Sequence, residues 1–285
     1  MLPFQKNKSL KHLSTFKIGG NARLFTEVST IEELQSALSY AEREGLSFLL
    51  VGKGSNSLFH DRGFNGLVIH NKISFFDVKG TEISVGAGYS FSLLGAKTAK
   101  SCLSGLEFAA GIPGSVGGAV FMNAGANGGE TADALTEVTF VTREGTIQTF
   151  SREELYFSYR KSPFQNMLGG IAAARFSLSP SNDARKTQKE IISYRTKTQP
   201  YSDLSCGCVF RNPEGKSAGA LIEKCGLKGV RKGGAEVSTL HANFIVNRVD
   251  ATAEDVVALA QHVQESVKRD AGVELEMELR TIPYE

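Results

Sequence analysis

Clustered glycine is the feature of this sequence that most constrains its fold. The chain has 30 glycines in 285 residues, and many of them gather in short groups at 18–20, 52–56, 86–88, 105–130 and 232–236. Glycine serves where a backbone must turn sharply or lie close against another group. The clusters therefore predict several tight loops at defined places in the chain.

The segment GLEFAAGIPGSVGGAVFMNAGANGGE (105–130) holds eight of these glycines among other small residues, with Pro113 in the middle. Such a loop can present successive backbone N–H groups to an anion, or it can be a tight structural turn. Its spacing matches neither G-x-x-x-x-G-K-[ST] nor G-x-G-x-x-G. A second small-residue loop, VGKGSNSLF (51–59), follows a predicted strand. Two such loops suggest a large ligand that contains a diphosphate.

Charge and hydropathy argue against two classes of function. Thirty-two basic and thirty acidic residues give a formal net charge of +2, and no basic block stands out. This balance argues against general nucleic-acid binding. The first residues show no apolar run of signal-peptide length, and no stretch approaches the roughly 18 apolar residues that a membrane span needs. We therefore expect a cytoplasmic protein that does not contact a membrane.

The segment SCGCVFRNPEG (205–215) sets two of the four cysteines one residue apart. A disulfide framework is not expected in a chain of this length without a secretory signal. A C-x-C pair without a second pair or histidines at matching spacing is also a poor zinc site, so no metal is predicted. A chemically reactive thiol is the alternative that these arguments leave.

Apolar periodicity and turn residues predict an α+β protein. Helices are predicted over 31–45, 90–103, 217–226 and 252–272, the last with Thr252 as N-cap. The segment 179–200 begins as a polar connector, becomes a charged helix and marks a boundary between an N-terminal and a C-terminal part. Strands are predicted at 66–70, 82–88, 136–142, 146–150, 170–178, 241–247 and 273–282.

Two further segments contain candidate functional residues. Arg160 lies in FSYRKSPFQ (157–165), among aromatic and turn residues, where it either pairs with a carboxylate of the protein or uses its fork of donors on a ligand carboxylate or oxyanion. In VELEMELR (273–280), alternation puts three glutamates on one face of a strand. That face is either solvated or functional, and the pattern alone selects none of the three.

Seven segments, which together span nearly the whole chain, occur in the order of one family. They are STFKIGGNA (14–22), LLVGKGSNSLF (49–59), 105–130, SYRKSPF (158–164), SCGCVFRNPEGKSAGALIEKCGLKG (205–229), GGAEVSTLHANFIVN (233–247) and LEMELR (275–280). Together they resemble the UDP-N-acetylenolpyruvoylglucosamine reductase family. The short interval between Arg160 and Cys206 is similar to the compact form of that family, which lacks an inserted subdomain and its substrate-clamping tyrosine.

The resemblance implies an α+β fold of the vanillyl-alcohol-oxidase type. It implies two FAD-binding subdomains at 1–70 and 71–180 and a C-terminal α+β substrate-binding domain at 200–272, with the last strand (273–282) returning to the 71–180 subdomain. By position, the FAD-binding residues would be Thr15, Gly52, Gly54, Ser55, Asn56, Ser57, Ala110, Gly111, Ile112, Pro113, Gly114, Ser115, Gly117 and Gly118. Binding would be non-covalent and mostly through backbone groups at the diphosphate.

The activity implied is reduction of an enol ether in peptidoglycan precursor synthesis, with NADPH as hydride donor. Negative charge then develops on the α-carbon and carboxylate of the substrate, which requires stabilising groups and an acid. Matched residue by residue, Arg160 and Glu278 would stabilise this charge and Cys208 would donate the proton. Glu278 would need a raised pKa if it acts in its protonated form. Cys206 would be a structural neighbour.

The implied UDP-sugar contacts are Tyr159, Arg211, Asn212 and His241, and the protein is expected to be a monomer. The sequence departs from the family at Thr198, where a lysine often stands two residues before the proline; Lys197 is one residue earlier. Two rival functions are a different FAD oxidoreductase of the same fold, acting on a sugar or hydroxy acid, and a UDP-sugar-binding protein without flavin.

Overall fold

Capping side chains and apolar periodicity explain most helices of this computed structural model, which describes residues 2–284. The helix Ala253–Ala271 begins after Thr252, whose Oγ1 accepts a hydrogen bond from the Asp255 N–H at 3.0 Å. The Asp255 carboxylate accepts the Thr252 N–H in return, at 3.0 Å. This reciprocal pair satisfies amide groups that the first turn of a helix leaves unpaired. Gly272 ends the helix with a left-handed φ of 66°, as is common at this position.

Helices and strands are interspersed along the whole of residues 2–284. The α-helices are α1 (Ile31–Arg43), α2 (Phe91–Lys100), α3 (Val116–Met122), α4 (Thr131–Ala134), α5 (Ala184–Thr198), α6 (Ala218–Lys224) and α7 (Ala253–Ala271). The strands are β1 (Gln5–Ser9), β2 (Asn21–Val28), β3 (Phe48–Val51), β4 (Ser57–Phe59), β5 (Gly63–Asn71), β6 (Phe76–Lys79), β7 (Glu82–Gly86), β8 (Leu103–Ser104), β9 (Gly125–Ala126), β10 (Gly129–Glu130), β11 (Leu135–Thr142), β12 (Ile147–Ser151), β13 (Gly169–Ser177), β14 (Ser179–Pro180), β15 (Arg231–Lys232), β16 (Ala235–Val237), β17 (Ile245–Asn247) and β18 (Arg280–Ile282).

The chain divides into two compact units that do not follow its linear order. Within the described range, unit 1 holds residues 2–6, 24–53 and 66–195, and unit 2 holds residues 7–23, 54–65 and 196–284. Segments from the N-terminal quarter of the chain therefore belong to both units. The small-residue loop after β3 contributes Gly52 and Lys53 to unit 1 and its remaining residues to unit 2.

The main sheet of unit 1 has the strand order β12-β11-β13-β7-β6, and each of these neighbouring pairs is antiparallel. Successive residues of a strand point to opposite faces, and both faces of this sheet are apolar. Phe140 and Phe176 pack into a cluster with α2 and α3, whereas Val141 and Ala172 pack into a cluster with α1. In the same unit, β3 pairs in parallel with β5, Phe48 opposite Leu67.

Unit 2 is built on the antiparallel sheet β15-β16-β17 and on helices α6 and α7. Buried residues of both helices share one apolar cluster with Phe16 and Phe210. Strand β18 pairs in parallel with β4, with Arg280 opposite Ser57. Its described partner is therefore the strand at 57–59, whereas the last strand was expected in the 71–180 region.

Three predicted elements differ from the structure. The strand expected over 273–282 pairs as a strand only at β18, although Leu275 and Leu279 are buried and Glu274 and Glu276 are exposed, as the alternation predicted. The strand expected over 241–247 is limited to β17. The glycine-rich segment 105–130, interpreted as a loop, contains α3. Among residues 2–284, no helix is long and apolar enough to cross a membrane, and no group of three or more His, Cys, Asp or Glu is arranged to hold a metal ion.

Candidate functional site

Unit 1 brings its two small-residue loops into direct contact. A Cβ atom added at Gly52 would lie 2.1 Å from Ser115 Oγ, so no side chain fits at this position. Ser115 Oγ also accepts the Gly118 N–H at 3.3 Å and caps α3. Residues 110–118, hereafter the 110–118 loop, therefore lie against Gly52. Small residues of the two loops are thus in contact within unit 1.

The backbone donors of the 110–118 loop are largely engaged inside unit 1. The N–H groups of Gly114, Val116 and Gly117 donate to carbonyl oxygens at 2.9, 2.9 and 2.8 Å. Their acceptors are Ile112, Tyr89 and Ala87, in that order. These bonds fold the loop, and a ligand that used the same donors would have to replace them.

In unit 2, the predicted residues Thr15 and Gly54 contact each other. The Thr15 N–H donates to the Gly54 carbonyl at 3.3 Å. Gly54 has a φ of 59°, and an added Cβ would lie 1.7 Å from the Leu13 carbonyl oxygen, so glycine is required at this position on both counts. Cys206 Sγ lies 3.2 Å from Thr15 Oγ1 and 3.5 Å from the Gly54 oxygen. Burial raises the pKa of the Cys206 thiol, so Cys206 packs as a neutral, structural side chain.

Cys208 and Glu278 are placed on adjacent backbone segments of unit 2. The Glu278 N–H donates to the carbonyl of Val209 at 2.7 Å, and Phe210 forms an antiparallel bridge with Met277. Both Cys208 and Glu278 are partly exposed. Asn56 Nδ2 donates to the Glu278 carbonyl at 3.1 Å, which ties this segment to the small-residue loop before β4. Three predicted site residues are thus brought together.

Asn243 is a residue of this site that the sequence did not indicate. It is buried, its Nδ2 donates to the Phe210 carbonyl at 2.8 Å, and its Oδ1 accepts the Phe210 N–H at 3.0 Å. The Asn243 carbonyl also accepts the Val209 N–H at 2.8 Å. Asn243 therefore fixes the strand segment that follows Cys208. A buried asparagine has no distinct signal in a single sequence, so it could not have been selected.

The predicted sugar-binding residues of unit 2 already have partners in the protein. Arg211 Nη1 pairs with Glu276 Oε1 at 2.6 Å, while its Nε is buried and has no hydrogen-bond partner among the described residues. Asn212 Oδ1 accepts the Ala218 N–H at 3.0 Å, at the start of α6. His241 Nδ1 accepts the Asn243 N–H at 3.3 Å. A buried donor without a hydrogen-bond partner is uncommon in a folded protein, so the Arg211 Nε is a candidate for contact with a ligand.

Arg160 is held in a strained conformation in unit 1. Its φ is 59°, which is rare outside glycine, and such strain is found often at functional sites. Its Nη2 donates to the Gly125 carbonyl at 2.9 Å, and its own carbonyl accepts Gln165 Nε2 at 3.0 Å. Its guanidinium lies over the ring of Tyr159, 4.8 Å from the centroid, and Tyr159 is 44% exposed. Gln165 is a second supporting residue that the sequence did not indicate.

Comparisons with known proteins cover nearly the whole chain. A family model described as "UDP-N-acetylenolpyruvoylglucosamine reductase, C-terminal domain" matches residues 199–282, and one described as "FAD binding domain" matches residues 22–151. The UDP-N-acetylenolpyruvoylglucosamine reductase of Protochlamydia amoebophila (strain UWE25) is 55% identical over 99% of this chain and 95% of that protein. The protein of the same name from Chlamydia muridarum is 46% identical over the same shares. The crystal structure of UDP-N-acetylenolpyruvylglucosamine reductase (MurB) from Thermus caldophilus matches with a TM-score of 0.84 and 38% identity, over 99% of each chain.

Proposed function

This chain belongs to the UDP-N-acetylenolpyruvoylglucosamine reductase family, and we propose from that membership how its own residues divide the reaction. It is an FAD-dependent oxidoreductase that reduces the enolpyruvyl group of UDP-N-acetylglucosamine enolpyruvate in peptidoglycan synthesis, a step of cell-wall formation. The hydride donor is NADPH and the product is UDP-N-acetylmuramate. The family and the fold predicted from the sequence are confirmed. Membership of this family argues against the two rival functions, a different FAD oxidoreductase and a UDP-sugar-binding protein without flavin.

The small-residue loops fit a flavin dinucleotide. In unit 1, a Cβ atom added at Gly52 would collide with Ser115 Oγ, so the two loops pack closely with no side chain between them. In unit 2, Gly54 packs equally closely against the Leu13 carbonyl, and its own carbonyl accepts the Thr15 N–H. We assign FAD to these loops, held non-covalently. Bound there, FAD would supply the hydride transfer from NADPH to the methylene carbon of the enolpyruvyl group.

Arg160 stabilises the charge that develops on the substrate carboxylate. A guanidinium carries five N–H donors in a fixed fork, and the Gly125 carbonyl takes one of them. The Gly125 contact orients the side chain, while the Gln165 contact and the unusual φ fix the backbone of Arg160 before substrate arrives. Preorganised donors of this kind favour the charged transition state because they need not reorganise during reaction.

Cys208 donates the proton that completes the reduction. Hydride addition to the methylene carbon leaves an electron pair on the α-carbon, and transfer of the thiol proton to that carbon forms the second C–H bond. The thiolate that results takes a proton from solvent before the next turnover. A thiol has a reference pKa of about 8.5, well below that of an alcohol, so it is the more readily available acid.

Glu278 acts on the same developing charge as a hydrogen-bonding group. The observation that most supports this assignment is the backbone pairing of 209–211 with 276–278, which puts Glu278 and not Glu274 on the segment beside Cys208. The UDP-sugar contacts stay with Tyr159, Arg211, Asn212 and His241, and the buried unpaired Nε of Arg211 is the best supported of these.

The two half-reactions, measured separately by stopped flow, test these roles. In Cys208→Ala, we expect NADPH to reduce the flavin at the normal rate, and reoxidation by substrate to slow by about 10²–10⁴-fold. Cys208→Ser retains an O–H donor, so it should keep appreciable activity. Cys225→Ala is the matched control, because Cys225 is another partly exposed free cysteine in unit 2. Normal flavin reoxidation in Cys208→Ala would refute the assignment.

Three further features of the protein complete the proposal. We propose that the protein works in the cytoplasm, where its four free cysteines would stay reduced. We also propose that it binds no nucleic acid, as its near-neutral charge suggests, and that it is a monomer. Light scattering of the purified chain, with and without added DNA, tests the last two.

A further inference from the structure

Arg195 lies against the 110–118 loop of unit 1. A Cβ atom added at Gly111 would be 2.5 Å from Arg195 Cδ and 2.6 Å from its Nε. The absence of a side chain at Gly111 thus makes room for the arginine. Arg195 projects from α5, whose other basic residues include Lys189, which is exposed. The guanidinium therefore lies where the small-residue loop begins.

Lys53 lies at the other end of the same loop. Its Nζ donates to Ser90 Oγ at 2.7 Å, and Ser90 forms an antiparallel bridge with Ser115. The preceding residue, Gly52, is the one whose Cβ would collide with Ser115 Oγ. Partial burial lowers the pKa of Lys53 because it disfavours the charged ammonium group. An anion beside that group would offset the cost of its desolvation.

The loop itself limits the separation of the two backbone positions, Gly111 and Ser115, beside which these side chains lie. Gly111 and Ser115 are four residues apart, which allows at most about 14 Å in a fully extended chain. The Gly114 N–H bond to Ile112 closes a turn between them and shortens the span. An elongated anion on the loop surface can therefore lie within reach of one long cationic side chain at each end.

The charge of such an anion needs neutralisation from side chains. The N–H groups of Gly114, Val116 and Gly117 already donate within unit 1, and that of Gly118 donates to Ser115 Oγ. A diphosphate placed on this loop would otherwise lose hydration without full replacement of its hydrogen bonds. Arginine offers a planar fork of donors to phosphate oxygens, and lysine offers a compact charge.

We propose that Lys53 and Arg195 bind the diphosphate of FAD at the two ends of the 110–118 loop. This assignment rests on the FAD-dependent function proposed above, and it gives a role to two residues to which neither the sequence motifs nor the family comparison assigned one. A UDP-sugar also carries a diphosphate. FAD is the assigned source because Lys53 and the whole loop lie in residues 22–151, which match the FAD-binding model.

The test measures FAD release from the holoenzyme. Lys53→Gln, Arg195→Gln and the double variant are diluted, and free FAD is followed by its fluorescence. Loss of one charge-assisted contact should raise the FAD dissociation constant roughly tenfold to a hundredfold for each single variant. Lys189→Gln, on the same helix α5, is the control and should leave the constant unchanged.

Lys53→Arg and Arg195→Lys keep the charge and should recover most of the affinity. The absorption spectrum of the remaining bound flavin should be unaltered, which separates this effect from misfolding.

A second arm measures the dissociation constant of the substrate at saturating FAD. An unchanged value alongside weakened FAD binding supports the proposal. Weakened substrate binding with normal FAD retention overturns the assignment to FAD and gives these cations to the UDP-sugar. No change in either constant overturns the proposal altogether. If the parent chain retains FAD but fails to reduce the enolpyruvyl substrate, the proposed function fails while this inference can still be judged from FAD release.

Discussion

Replacement of Glu236 by glutamine should destabilise unit 2 more than any surface substitution in it. Glu236 lies in β16, the central strand of its sheet, and its side chain is only 5% exposed. Arg248 Nε donates to its Oε1 at 3.0 Å, and Arg231 Nε donates to its Oε2 at 2.5 Å. The neighbouring strand β17 includes Asn247, whose Nδ2 donates to the carbonyl of Phe16 at 3.0 Å. The ion-pair cluster therefore supports the segment next to Thr15.

The size of the effect follows from the exposure of the three side chains. Removing one partner from a fully buried ion pair costs about 3–5 kcal/mol. In this cluster the arginine side chains are 61% and 33% exposed, so water can solvate them again after the change. Glutamine also keeps one acceptor oxygen. We therefore expect Glu236→Gln to lower the free energy of unfolding by about 2 kcal/mol. This is close to the contribution of a single hydrogen bond to a charged group.

The same carboxylate makes stability depend on pH. Burial raises the pKa of Glu236, but hydrogen bonds from Arg248 and Arg231 outweigh burial, and the net pKa is below 4.5. A carboxyl group with a lowered pKa stabilises the fold above its unfolded value and loses that contribution as pH falls through its folded value. The difference between the parent chain and Glu236→Gln should thus be constant near neutral pH and shrink below pH 4.5.

Urea unfolding at saturating FAD, followed by circular dichroism from neutral pH to below pH 4, measures both effects. Glu223→Gln is the matched control, because Glu223 pairs with Lys228 but is 58% exposed. That substitution should cost about 0.5 kcal/mol or less. Equal losses in the two variants, or a Glu236→Gln difference that grows on acidification, would refute the reasoning.

Two other outcomes are expected. Gly54→Ala should lower both stability and FAD affinity, because alanine would have to adopt a φ of 59° and its Cβ would collide with the Leu13 carbonyl oxygen; the φ alone costs about 1–2 kcal/mol. Gly215→Ala, with a φ of 66° and open space around its Cβ, isolates that strain, and an equal effect of the two on FAD affinity would contradict the steric argument. Cys208→Ser should lose less activity to hydrogen peroxide than the parent chain, because a partly exposed thiol is oxidisable and a hydroxyl is not; identical inactivation would place the sensitive group elsewhere.

Long helices are the elements of the fold that the sequence predicts best. Helix α7 combines apolar periodicity with Thr252 and Gly272 at its ends, and α1 lies within the predicted 31–45. Helix α3 was missed because Gly117 and Gly118 disfavour a helix. It forms because Ser115 caps it and because Gly117 fits against Ala87, where an added Cβ would be only 2.9 Å away. That reason is tertiary and has no local signal.

The sequence predicts which residues belong to the candidate site, but it does not predict how they are arranged. The motifs named Cys208 and Glu278, yet the pairing of Val209 with Glu278 joins segments far apart in the chain and appears only in the structure. Cys206 and Cys208 could not be distinguished by spacing. The structure separates them, because Cys206 is buried against Thr15 and Cys208 is partly exposed. Supporting residues such as Asn243 have roles that depend wholly on such long-range contacts.

The most direct test of the central claim is NADPH oxidation by the purified yellow protein, with and without UDP-N-acetylglucosamine enolpyruvate. We predict that the enolpyruvyl substrate strongly accelerates NADPH oxidation and that UDP-N-acetylmuramate accumulates in equal amount, as identified by mass spectrometry. NADPH oxidation that is indifferent to the substrate, or substrate recovered unreduced, would contradict the account.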